Sequence, residues 1–166
     1  MGPFFRAVDR LNEWCGGVVG YQILGVVVVI VYEIVMRDAF TAPTVWANET
    51  MVYVTAMAYL LGGGYALLHR RHVTVDVLYA RLSARTRARL DLITTVFFVL
   101  YLGALIWAGS VWAWDSIKVG ETTGSPWNPP VWPVKLAIPL AALLVLLQGI
   151  ANVIRDVRAV GGSPRA

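Results

Sequence analysis

Five side chains in this sequence have the types and settings that membrane chemistry uses: the carboxylates of Glu33, Glu49 and Asp115, and the imidazoles of His69 and His72. The two histidines stand three residues apart, a spacing that brings two metal ligands together on one helix face. No third ligand lies nearby, and Arg70 and Arg71 between them oppose a bound cation, so the pair reads as part of a basic, headgroup-facing segment. A haem would need histidines inside apolar spans on facing helices, and these two lie outside them. The single cysteine, Cys15, rules out an intrachain disulfide framework and a cysteine-based metal site, and reads as a small apolar residue early in a membrane helix. No nucleotide-binding glycine loop, nucleophile–base pair or zinc motif occurs. Neither catalysis nor a cofactor or metal is expected.

The elements that must carry these residues are written in the hydropathy. The 166 residues are 58% hydrophobic and 14% charged, with a mean hydropathy of +0.64. A soluble domain carries roughly a quarter charged residues, so this deficit points to lipid. The net charge of +4 does not make a nucleic-acid surface, because the arginines stand at the edges of apolar blocks, where they act as topology signals. Four such blocks are expected as transmembrane helices, at about 14–36, 46–68, 84–116 and 131–153. Each can cross a hydrocarbon core of about 30 Å, which takes about 20 helical residues. The first block is too long for a cleaved signal peptide and no small-x-small pattern follows it, so it reads as a retained signal anchor. The expected fold class is therefore an all-α integral membrane protein of four transmembrane helices.

The loop from His69 to Leu90 organises the rest, since it holds six of the fourteen lysines and arginines. Short basic loops resist translocation. Eleven basic residues lie in the N-terminus, this loop and the C-terminal tail, against three, Arg37, Lys118 and Lys135, in the opposite loops. That bias predicts both termini in the cytoplasm. Val75, Leu78 and Leu82 share a stripe that predicts a short amphipathic interfacial helix over 73–82, broken near Ser83, which caps the third helix. Arg87 and Asp91, four apart, make a surface pair in the wet first turns of that helix. The stretch from Lys118 to Pro133 is rich in Gly and Pro and reads as a structured loop. Tryptophans 46, 107, 112, 114, 127 and 132 gather toward the outer face, with Trp107 expected well below the surface.

Ionisable groups at membrane depth are costly and mark ion or substrate paths, yet none stands near the centre of any of the four blocks. Glu33 is expected to pair with Arg37 at i+4, and Glu49 to act at an interface between helices. Gly62, Gly63 and Gly64, and Gly16 with Gly20, invite close helix contact, either inside this chain's own bundle or with a partner.

Several motifs together resemble a known family. Trp46-x-x-Glu49 opens the second span, and Gly62-Gly63-Gly64 precedes the basic segment containing Val73-Thr-Val-Asp76-Val-Leu. Gly120-Glu121-Thr122-Thr123 is followed by Ser125-Pro126-Trp127-Asn128-Pro129-Pro130-x-Trp132-Pro133-x-Lys135, and Pro139 with Leu147-Gln148-Gly149 completes the set. The chain resembles the small membrane subunit (DctQ-type) of a tripartite ATP-independent periplasmic (TRAP) transporter. The resemblance implies a non-catalytic subunit of a sodium-coupled importer for an organic acid or related small solute, in a bacterial inner membrane. It implies two protein partners, a large membrane subunit that carries the sodium sites and a soluble periplasmic substrate-binding protein. Trp46, Glu49, Gly62, Gly63 and Gly64 are then expected to face the large subunit, and Glu121, Trp127, Asn128 and Trp132 to form a docking loop for the binding protein. Arg70, Arg71 and Arg81 are expected to hold anionic headgroups of membrane lipids. Two alternatives stand beside it: a stand-alone four-helix exporter of the small multidrug kind, which would depend on Glu33, and a membrane anchor of a redox complex.

Overall fold

The computed structural model describes residues 3–69 and 84–161. Four helices account for nearly all of them: α1 (Pro3–Asp38), α2 (Ala47–Leu68), α3 (Ala84–Val119) and α4 (Trp132–Gly161). All four are long and apolar enough to cross a membrane. Among the described residues the only strand-like pairing is an isolated antiparallel bridge between Thr122 and Pro130, in the α3–α4 loop. The expected interfacial helix over 73–82, with Arg70, Arg71 and Arg81, and the Ser83 cap lie outside the described residues, as do the side chains of Arg87 and Asp91.

The helices form two antiparallel hairpins, α1 with α2 and α3 with α4, joined where α2 packs on α4. Contact between α1 and α4 is narrow, so α1 and α3 lie on opposite flanks. One end of the bundle holds the α1–α2 and α3–α4 loops, and the other holds the chain termini. Small residues explain the close approach at the middle. In hydrocarbon there is no hydrophobic drive between helices, and packing falls to residues that let backbones meet. Ala137, Ala141, Ala142 and Ala151 of α4 are buried. Gly149 makes room for the Phe98 ring, and Gly109 of α3 lies open to Pro139, whose ring would meet a Cβ there at 3.1 Å. Pro139 brings no N–H to the hydrogen-bond ladder inside α4, and its ring lies where Gly109 has no side chain.

Burial is inverted relative to a soluble domain. The largest fully buried side chains are polar, Gln148, Asn12 and Ser116, while Tyr21, Tyr59, Phe97 and Trp107 face outward. Trp107, 74% exposed, lies near the middle of the α3 span rather than at its rim, in keeping with the deep position expected for it.

Two helices run past their apolar blocks. α1 begins at Pro3, well before the apolar run opens at Trp14, and α4 continues beyond Val153. With 36 residues, α1 is roughly 54 Å long at about 1.5 Å per residue, far more than a hydrocarbon core. Both extensions lie at the terminal end, and there they meet.

Candidate functional site

At the terminal end, helical spacing aligns Asp9 and Asn12 on α1, and Gln148, Asn152 and Arg155 on α4. These five side chains form one network. Asn12 Nδ2 donates to Gln148 Oε1 at 2.9 Å and to its own helix at Val8 O, 3.1 Å. Gln148 Nε2 donates to Asp9 Oδ1 at 3.1 Å and to Asn152 Oδ1 at 3.3 Å. Arg155 grips both oxygens of Asp9, reaching Oδ2 at 2.6 Å. Asn152 Nδ2 then donates to the carbonyl of Leu67 at 3.1 Å, in the last turn of α2, where carbonyls run out of partners within the helix. Three helices are stitched at one level. Asn12 and Gln148 are both 0% exposed, so each amide depends on these partners. Beside the network, His69 Nε2 lies 3.0 Å from Glu13 Oε2, and its ring packs on Tyr65 at 4.4 Å between centroids. Sequence reasoning missed this network because it searched for charges near the centres of the spans. The available signal was Asp9-x-x-Asn12 and Gln148-x-x-x-Asn152-x-x-Arg155 at helical spacing.

At the loop end Glu33, Asp38, Glu49 and Glu121 are engaged, one of them with an unexpected partner. Glu33 does not pair with Arg37. Its Oε2 accepts the backbone N–H of Thr44 at 3.2 Å and the Thr44 hydroxyl, while Arg37 Nε turns to Asp38 at 3.2 Å. The i+4 pairing loses because the α1–α2 loop folds back and offers Glu33 two donors at once, with Arg37 left at the exposed rim. Glu49, in the first turn of α2, accepts the Thr123 hydroxyl at 3.2 Å. Glu121 pairs with Lys135. That hydrogen bond to Lys135 holds the Glu121 carboxyl below the usual glutamate range. Asp115 is exposed. Trp46, just before α2, stacks on Tyr32 with ring centroids 5.9 Å apart.

The loop between α3 and α4 is as ordered as the Gly and Pro content suggested. Thr123 N donates to Pro129 O and Val131 N to Glu121 O, closing a narrow hairpin. Gly124 and Asn128 both take left-handed backbone, at φ 72° and 55°, a conformation that glycine and asparagine tolerate best. Trp127 stands exposed between Pro126 and Asn128, and Trp132 is exposed where α4 begins.

The triple glycine is used mainly inside the chain. A Cβ at Gly64 would overlap Asn12 Oδ1, and one at Gly63 would lie 3.3 Å from Val145 Cγ2. Gly62 has room, with Val19 Cγ1 at 3.9 Å, and it lines an open apolar groove between α1 and α2 with Ile23, Val26, Thr55 and Tyr59. Gly16 receives the Tyr65 ring, whereas its small-residue neighbour Gly20 faces open space. Trp46, Glu49 and the three glycines thus do not form one patch. Among the described residues no cluster of three His, Cys, Asp or Glu side chains has metal-binding geometry.

This arrangement, four spanning helices with polar groups tied down at both ends, can be set beside known proteins. The family described as tripartite ATP-independent periplasmic transporters, DctQ component, matches residues 26–159, well over half of the chain. The chain belongs to the DctQ family. It is thus a component of a TRAP transporter and a protein of the inner membrane. The DctQ chain is also 27% identical over 73 residues, 44% of its length, to the sialic acid TRAP transporter permease protein SiaT of Haemophilus influenzae (strain 86-028NP). That match spans only 11% of the relative's length. The family match takes in the last part of α1, from residue 26, all of α2 and α3, and most of α4, and it includes Gln148, Asn152 and Arg155 but not their α1 partners Asp9 and Asn12.

Proposed function

We propose that this DctQ chain is the non-catalytic small permease subunit of a sodium-coupled TRAP importer that takes up an organic acid or related small solute. The observation that carries this reading is where the ionisable side chains stand. None lies near the middle of a span, and the carboxylates Asp9, Glu33, Glu49 and Glu121 are each committed to a neighbour. Ionisable groups at membrane depth are the usual mark of an ion or substrate path. This chain offers a rigid frame instead, so the sodium sites and the moving parts belong to a large membrane subunit. The engagement of Glu33 by Thr44 also weighs against a stand-alone exporter.

The basic-residue bias supports both termini in the cytoplasm, with Arg70, Arg71 and Arg81 toward anionic headgroups. The loop end then faces the periplasm, and Glu121, Trp127, Asn128 and Trp132 meet the binding protein there. The large subunit packs along the α1–α2 side, where Gly62 and Tyr59 line the groove and Trp46 stacks on Tyr32 of α1. Proteoliposomes test the division of labour. With binding protein and an inward sodium gradient, solute uptake is expected only when this chain and the large subunit are both present. Solute movement through liposomes containing this chain alone would overturn the proposal.

A further inference from the structure

Four hydrogen bonds at the loop end run in one direction. Thr123 has a single hydroxyl proton, and Glu49 Oε2 takes it at 3.2 Å. The 2.9 Å contact between the Thr123 and Ser125 hydroxyls must then use the Ser125 proton. Ser125 Oγ is left as an acceptor and receives the N–H of Asn128 at 2.9 Å, while Asn128 Oδ1 receives the N–H of Gly124 at 2.9 Å. The chain begins at a carboxylate in the first turn of α2, where the helix dipole favours negative charge. It ends on the two left-handed residues that shape the loop. Bonds aligned in this way polarise and reinforce one another.

We infer that Glu49 is a positioning residue: through Thr123, Ser125 and Asn128 it presets the α3–α4 loop so that Trp127 is presented, already ordered, to a soluble protein partner. The inference rests on the small-subunit reading and assigns Glu49 a task within it. The partner's chemistry follows from the loop end itself. Trp127, between Pro126 and Asn128, is a rigid apolar tip that fits a shallow apolar recess. The loop end of the bundle carries five carboxylates, Glu33, Asp38, Glu49, Asp115 and Glu121, against three bases, Arg37, Lys118 and Lys135. A recess rimmed by basic groups complements that balance. Presetting matters because a loop ordered beforehand does not lose its freedom on binding.

The test uses the complex of this chain with its large subunit and the transporter's own purified binding protein. Amide hydrogen exchange reads the loop, and immobilised complex reads docking. Glu49→Ala and Thr123→Val are expected to speed exchange at Gly124 and Asn128 and to weaken docking about five- to tenfold, the value of one or two lost hydrogen bonds. Glu49→Gln keeps an acceptor and Thr123→Ser keeps the hydroxyl, and both are expected to restore slow exchange and docking. The large subunit should co-purify with every variant. Unchanged exchange in Glu49→Ala would overturn the strut, and a loosened loop with undiminished docking would overturn its role in binding. Loss of the large subunit from Glu49→Ala would return that residue to the membrane interface and also overturn the inference. A wild-type complex that binds no binding protein would sink the small-subunit reading itself, and this inference with it.

Discussion

Glu121 and Lys135 illustrate how single residues fix the loop end. Lys135 stands one turn into α4 and holds the Glu121 carboxyl at the root of the loop, while the Glu121 carbonyl accepts Val131 N–H. Because Glu121 titrates below the usual glutamate range, its contribution to stability is fully present above that range. It is lost as pH falls through the lowered value. Acidification is therefore expected to lower the protection of the Val131 and Thr123 amides, measured against the intrinsic exchange rate at each pH, well before the helices unfold, and Lys135→Met should loosen the same amides already at neutral pH. Exchange in Lys135→Met that matched the wild type at neutral pH would contradict this assignment. Both members of the pair stood out in the sequence, within the Gly120 to Lys135 motif. Their contact could not be read there, because it depends on how the hairpin closes. The same holds for Glu33. The i+4 rule offers Arg37, a local partner, whereas Thr44 reaches Glu33 only after the chain has turned back beyond α1.

At the scale of helices, hydropathy made the four spans legible, since hydrocarbon thickness imposes a length that no polar interruption masks. The helix extensions were not legible by that signal. The first turns of α1 precede the apolar run that opens at Trp14, and there Asp9 and Asn12 bond to Gln148 and Arg155 of α4 across the bundle. The glycines divide in the same way. Their number suggested close packing, but only the structure separates those that meet another helix from those that do not. Gly64→Ala places a methyl against Asn12 Oδ1, whose amide is held by Gln148, and is expected to cost about 1–3 kcal/mol in detergent unfolding. Gly20→Ala meets nothing within the chain and should be neutral or slightly stabilising in the same assay. Equal effects at the two positions would mean that α1 does not sit on α2 as described.

The whole molecule is two hairpins joined along α2 and α4, clasped at the terminal end by Asp9, Asn12, Gln148, Asn152 and Arg155 and at the loop end by Glu49, Glu121 and Lys135. Large apolar and aromatic side chains cover the outer flanks of α1 and α3. A frame tied at both ends suits a subunit that supports a moving partner rather than one that moves solute itself. The most direct measurement is affinity purification of this chain from its native membrane in mild detergent, with the co-purifying proteins identified by mass spectrometry. A stoichiometric large multi-span membrane protein is the expected result. A clean homo-oligomer with no such partner would contradict the account.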